Sequence, residues 1–245
     1  MRAKPSREVA PLRNIGLLME LIDRVAARGP ALPGMACFYG HSGYGKSTAA
    51  TFAANRHSAH VVTIGDTWTR RTLCEAVLTQ TGASKANRTL PQMMRAICDQ
   101  LMEDPTRPLI IDEADYAIRK NMVDLIREMH DETGVPIIWI GEELLPVKLE
   151  KFERAHNRML DWVAALPCDH ADARHLAKKD APGIDMSDDL IDAIVNVSGG
   201  RARRISTNFN QVREAAVAAG KKKMSLSDWG SRPFFSGEPP RRRAA

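Results

Sequence analysis

Aromatic side chains make up only 5% of this 245-residue chain, and it has four cysteines. Each shortage excludes something. Cys37, Cys74, Cys98 and Cys168 stand far apart with no C-x-x-C pair, which argues against a zinc ribbon or a disulfide framework and for reduced thiols. No apolar run approaches the ~18 residues that a membrane-spanning helix needs. The opening "MRAKPSREVAPLRNIG" is basic but lacks the apolar stretch and small-residue cleavage site of a secretory signal. A cytoplasmic location is the expectation. No internal repeat is visible, and the formal net charge of +5 rules out an acidic chain. Between residues 201 and 223 stand Arg201, Arg203, Arg204, Arg213, Lys221, Lys222 and Lys223 against the single acid Glu214, and Arg241, Arg242 and Arg243 lie near the end. Such runs suit a polyanionic partner or a solvated face, and composition alone does not choose between them.

What is present is a regular alternation. "LRNIGLLMELIDRVAARG" has apolar residues at helical spacing and stops at Gly29-Pro30. Short apolar runs then alternate with helical patterns: "MACFY", "HVVTIG", "PLIID", "VPIIWIG" and "DWVAAL" read as five strands. Helices are expected around "STAATFAAN", "TRRTLCEAVLTQTG", "TLPQMMRAICDQLME", "YAIRKNMVDLIREMHDETG" and "LPVKLEKFERAHNRM". Nearly all-apolar strands alternating with helices define an α/β class, a parallel sheet covered on both faces. After Pro167 the strand signal stops, and "ADARHLAKKD", "SDDLIDAIVNVSGG" and "RARRISTNFNQVREAAVAAG" read as helices alone. The expected organisation is a tail over 1–10, a nucleotide-binding α/β domain over 11–167 and a small all-helical lid over 168–230. A disordered basic tail is expected over 231–245.

Gly40-His41-Ser42-Gly43-Tyr44-Gly45-Lys46-Ser47, followed by Thr48, is a full G-x-x-x-x-G-K-[ST] between an expected strand and an expected helix. Its glycines let successive backbone N–H groups turn inward on phosphate, and the helix start adds partial positive charge. Lys46 is expected to reach the β- and γ-phosphates of ATP and Ser47 to ligate Mg²⁺. "LIIDEAD" ends a buried strand in Asp112, which suits a second Mg²⁺ ligand. Glu113 beside it can orient a water in line with the γ-phosphate, so ATP hydrolysis is the expected reaction. A small-molecule kinase has no need of this Glu.

A helical lid after a five-stranded core, with Gly200-x-x-Arg203 at a lid helix, resembles the AAA+ ATPases. The resemblance places the fourth strand between those of the P-loop and of Asp112. It also puts Glu142, where a polar sensor usually stands, beside the γ-phosphate. A bare carboxylate there is repulsive unless it binds the metal, a water or an arginine, so its role stays open. Arg203 is implied as a second sensor. Arg154 and Arg158, four apart and so expected on one helix face, are candidates for an arginine finger reaching a neighbouring subunit, with Arg158 preferred.

"LRNIGLLMELIDR", "PGMACFYGHSGYGKSTAA", "IIDEAD", "VPIIWIGEELLPVKLEKFERAHNRM" and "GGRARRI" together resemble the transposition ATPases of Mu-like phages, the B-protein group. That resemblance implies a protein that forms an ATP-dependent filament on double-stranded DNA with little sequence preference. It further implies delivery of that DNA to a DDE-type transposase, release on hydrolysis, and a phage protein in a bacterial host's cytoplasm. Phosphate-tracking cations are then required: Thr69, Arg70, Arg71, Lys85 and Arg88 first, and Lys221, Lys222 and Lys223 second. The alternative is a P-loop switch that acts on a protein partner, with these cations merely solvated.

Overall fold

The computed structural model describes residues 10–83 and 88–238. It divides into two compact units, one made of residues 14–41 and 46–165, the other of residues 10–13, 42–45 and 166 onward.

The larger unit is the α/β body. In chain order it holds α1 (Arg13–Ala26), β1 (Met35–Tyr39), α2 (Lys46–His57), β2 (His60–Thr63), α3 (Arg70–Thr81), α4 (Leu90–Glu103) and β3 (Leu109–Asp112). There follow α5 (Asp115–Arg119), α6 (Val123–Thr133), β4 (Ile137–Gly141), α7 (Leu145–Leu149), α8 (Glu153–His156) and β5 (Met159–Ala164). All five strands pair in parallel in the order β2-β3-β4-β1-β5. β3 and β4 are buried along their whole length because helices cover both faces, which is why they read as unbroken apolar runs. One core joins Met35, Cys37, Ile111, Trp139, Leu73, Val77, Ile97 and Ile126. Tyr39 pairs with Gly141 and Thr63 with Asp112, so the carboxyl ends of β1, β2, β3 and β4 come out along one sheet edge. In parallel α/β sheets that edge is where ligands bind.

Two expected helices are each broken in two. The stretch 116–134 splits because Asn121 takes a left-handed backbone (φ 52°), which ends α5 and lets Met122 turn into the core. The stretch 145–159 splits at Phe152, whose extended-side ψ of 71° stops the first turn while its ring packs on the core. α8 ends at His156. Arg158 therefore lies outside any helix, its carbonyl accepting Met35 N–H at 2.9 Å as the chain enters β5. Arg154 and Arg158 do not share a helix face.

The smaller unit holds α9 (His170–Asp180), β6 (Asp185–Met186), α10 (Asp188–Ser198), α11 (Ala202–Ala218), β7 (Lys223–Met224) and α12 (Leu226–Trp229). Leu176, Leu190, Ile194, Ile205, Phe209 and Val212 form its core. It is helical apart from the two-residue strands β6 and β7, which pair in parallel and are too short to show periodicity in the sequence. Residues 231–238, expected to lack structure, run along α11. Phe234 stacks on Trp229 at 5.3 Å, and the buried Asn208 amide accepts from Phe235 N–H at 2.8 Å and donates to its carbonyl at 3.0 Å. Those pairings give the segment a fixed path. Arg241, Arg242, Arg243 and Lys85 lie outside the described residues.

Candidate nucleotide site

The loop between β1 and α2 begins at Gly40 and ends with Lys46 as the first residue of α2. Gly43 (φ 91°) and Gly45 (φ 86°) hold left-handed conformations that side-chain-bearing residues avoid. His41, Ser42, Ser47 and Thr48 are exposed; Tyr44 is partly so. Lys46 Nζ donates to the carbonyls of Gly40 (2.5 Å) and His41 (3.0 Å), folding over the start of the loop. Burial lowers the proton affinity of that amine, and the neighbouring charges of Glu113, Asp112, Asp115 and Glu142 oppose the drop.

Asp112 ends β3, 5% exposed, and its Oδ1 accepts the N–H of Glu113 at 3.0 Å. Glu113 itself is left-handed (φ 56°), a conformation that costs a non-glycine residue ~1 kcal/mol or more and that accumulates at functional sites. The next N–H, of Ala114, returns to the Ile140 carbonyl of β4 at 2.9 Å. Burial raises the Glu113 carboxyl's proton affinity, the adjacent Asp112 raises it further, and Lys46 opposes both. The strained turn thus places a carboxyl of raised proton affinity next to a buried one.

Ser47 and Asp112 offer hard oxygen donors of the kind Mg²⁺ takes. Among the described residues no group of three or more His, Cys, Asp or Glu side chains is arranged to hold a metal. A cation at this pair would complete its shell with phosphate oxygens and water, as Mg²⁺ does in phosphate sites.

At the end of β4, Glu142 N–H donates to Asp115 Oδ2 at 2.7 Å, while its own carboxylate is 64% exposed and lies 3.8 Å from Lys148 Nζ. The cation missing from the sequence reading is Lys148. Neither Asp115 nor Lys148 was singled out there; Asp115 is the third acid of "IIDEAD", and only the fold turns it toward β4.

The two finger candidates separate. Arg158 pairs with Asp131 within its own chain, Nε to Oδ1 at 2.8 Å and Nη2 to Oδ2 at 3.4 Å. Arg154 is exposed on α8 and makes no ion pair among the described residues. In the smaller unit Arg203 is exposed at the second residue of α11. Arg201, in the same unit as residues 42–45, lies near Gly43: a Cβ built on Gly43 would lie 3.3 Å from Arg201 Cβ.

Thr69 caps α3, its side chain accepting the N–H of Thr72, as its place before the helix predicts. Arg70 and Arg71 follow, exposed but braced. Arg70 donates to the Asn121 carbonyl (2.9 and 3.2 Å), and Arg71 to the Arg88 carbonyl (3.0 Å) and to Glu75 (2.9 Å). The lysine run is partly neutralised, Lys221 by Asp228 at 2.5 Å and Lys223 by Asp185 at 3.6 Å, leaving Lys222 exposed between them.

The fold is that of the P-loop NTPases of the AAA+ type. The family described as an AAA domain matches residues 31–149. The chain is similar in structure to Aeropyrum pernix ORC2 in its ADPNP–ADP complexes, with TM-score 0.65 and 17% identity over 91% of this chain and 67% of that one. It is also similar to Aeropyrum pernix ORC1 in complex with DNA (TM-score 0.63, 17% identity, 92% and 64%). A third likeness is to the Thermotoga maritima RuvB Holliday junction branch migration motor (TM-score 0.58, 17% identity, 88% and 66%). The chain spans about two thirds of the length of each of these proteins. No curated protein matches it in sequence.

Proposed function

We propose that this protein is a Mg²⁺-dependent ATPase that binds double-stranded DNA in its ATP state and lets go after hydrolysis. The observation that carries the ATPase half is the turn at Asp112-Glu113. A buried acid sits at the strand end and a raised-pKa acid is held beside it in a left-handed backbone, at the sheet edge that also carries the P-loop. The loop N–H groups and Lys46 would hold the phosphates, Ser47 and Asp112 the Mg²⁺, and Glu113 the attacking water. Arg154, with no ion pair among the described residues, suits a finger in trans better than Arg158 does. Exposed Leu144 and Val147 lie just ahead of it in the chain and suit burial against a second subunit.

For DNA, support comes from exposed Arg70 and Arg71 at the start of α3, with partly buried Arg88 joined to Arg71 through its carbonyl. Two structurally similar proteins are also described as a DNA complex and a branch migration motor. The resemblance of the motifs to Mu-like transposition ATPases narrows the reading to filament assembly on target DNA and its delivery to a DDE-type transposase. ATP turnover with and without a random-sequence duplex tests the whole. Turnover stimulated by DNA is expected. Turnover that DNA leaves unchanged would favour the protein-directed switch.

A further inference from the structure

Glu142 and Asp115 pose a charge problem. Four carboxylates, Asp112, Glu113, Asp115 and Glu142, act on the single ammonium of Lys46, and a nucleotide would bring more negative charge to that ammonium. Asp115 cannot be relieved by water, since its side chain is 7% exposed. It is held by two donors: Lys148 Nζ at 2.5 Å on Oδ1 and the Glu142 N–H at 2.7 Å on Oδ2. Gly141 makes room for this, because a Cβ there would stand 2.4 Å from Asp115 Oδ2 and 2.6 Å from Leu145 Cδ2. Lys148 Nζ also lies 3.8 Å from Glu142 Oε2. One ammonium thus faces two of the four carboxylates, and one buried carboxylate fixes the peptide on which the other is carried.

We propose that Asp115 and Lys148 are positioning residues of the nucleotide site: Asp115 fixes the Glu142 main chain at the end of β4, and Lys148 neutralises Asp115 and Glu142 so that phosphate can bind nearby. The inference rests on the ATP-binding reading above. Removing Lys148 leaves a buried charge unpaired and an exposed one uncompensated, both repelling phosphate.

The test uses the full chain, titrated with fluorescent ATP and ADP analogues, with melting curves and ATP turnover for each variant. Lys148→Met should weaken ATP binding about tenfold or more, the scale of one unscreened charge near a phosphate site. Lys148→Arg should retain it, and Lys151→Met, which removes an equal charge from an exposed neighbour, should leave it unchanged. Adding Glu142→Gln to Lys148→Met should recover a substantial part of the lost affinity, which a purely structural role for Lys148 would not produce. Asp115→Asn should lower kcat with little change in KM, as the β4 end loosens. Lys148→Met that binds ATP like wild type, or a folded Lys148→Met that Glu142→Gln fails to rescue, overturns the proposal. If Lys148→Met does not fold, Glu142→Gln alone decides: it removes one of the four negative charges, and tighter ATP binding is expected. A tenfold loss there would make Glu142 itself a ligand and defeat the charge argument. Wild-type protein that binds ATP without hydrolysing it would sink the ATPase reading while leaving the affinity series intact as a test.

Discussion

Arg158→Ala should cost stability and spare turnover, and Arg154→Ala should do the reverse. Arg158 reaches Asp131 through two nitrogens, at 2.8 and 3.4 Å, with side chains 42% and 24% exposed. Half-exposed pairs of this kind contribute about 0.5–1 kcal/mol after solvent screening. Asp131 keeps Arg127 as a second partner, which limits the loss further. For a chain of this size that is a melting shift of about 1–4 °C. The pH dependence fixes the cause. Burial pushes the Asp131 carboxyl up, but Arg158 and Arg127 outweigh it and hold it below the usual range. A depressed carboxylate stabilises fully above its unfolded pKa of ~4 and loses that contribution as pH falls through its lower folded value. The wild-type and Arg158→Ala melting temperatures should therefore differ at neutral pH and converge in acid below about pH 4. ATP turnover measured against protein concentration completes the assay. Arg154→Ala should lose about a thousandfold of oligomer-dependent turnover if it is a finger, with no melting shift, and should partly complement Glu113→Gln in mixtures. An Arg158→Ala protein that melts like wild type yet has lost turnover would refute this reasoning.

Glu113→Gln should keep ATP bound while slowing hydrolysis by a factor of about 10²–10⁴, whereas Lys46→Ala should lose binding itself; nucleotide titration beside turnover separates the two. Because burial and Asp112 raise the Glu113 carboxyl, and it acts deprotonated, wild-type kcat should fall with acid at a pH above the ordinary carboxylate range, and that limb should vanish in Glu113→Gln. Gly141→Ala should destabilise the fold by ~1–3 kcal/mol, since its Cβ would collide with a carboxylate that is itself held on both oxygens; denaturant unfolding measures it. Arg70→Ala and Arg71→Ala should weaken duplex binding alike for all sequences and each reduce the salt slope by ~1.

The strands and the P-loop were legible because their signals are local. "MACFY" and the "LII" of "PLIID" are apolar because both sheet faces are covered, and the glycines at 43 and 45 are demanded by left-handed backbone within the loop itself. Helix interruptions were not legible: Asn121 and Phe152 are ordinary residues in helical company, and only the turn of Met122 and the packing of the Phe152 ring require the breaks. The expected shared face of Arg154 and Arg158 failed for the same reason. A spacing of four places two arginines on one face only while the helix lasts, and this one ends at His156. Asp115 and Lys148 lie 33 residues apart, joined by a contact that β4 creates when it inserts between β3 and β1. No periodicity could show it. Arg70 and Arg71 read as free cations in the sequence, yet each braces a loop carbonyl as well.

The central claim, that nucleotide state controls a grip on DNA phosphates, is tested most directly by fluorescence anisotropy of a labelled random-sequence duplex with ATP, ADP or no nucleotide at two salt concentrations. The account predicts binding with ATP, release with ADP, and an affinity that falls steeply as salt rises. Equal binding in all three states, or none in any while ATP is still hydrolysed, would contradict it.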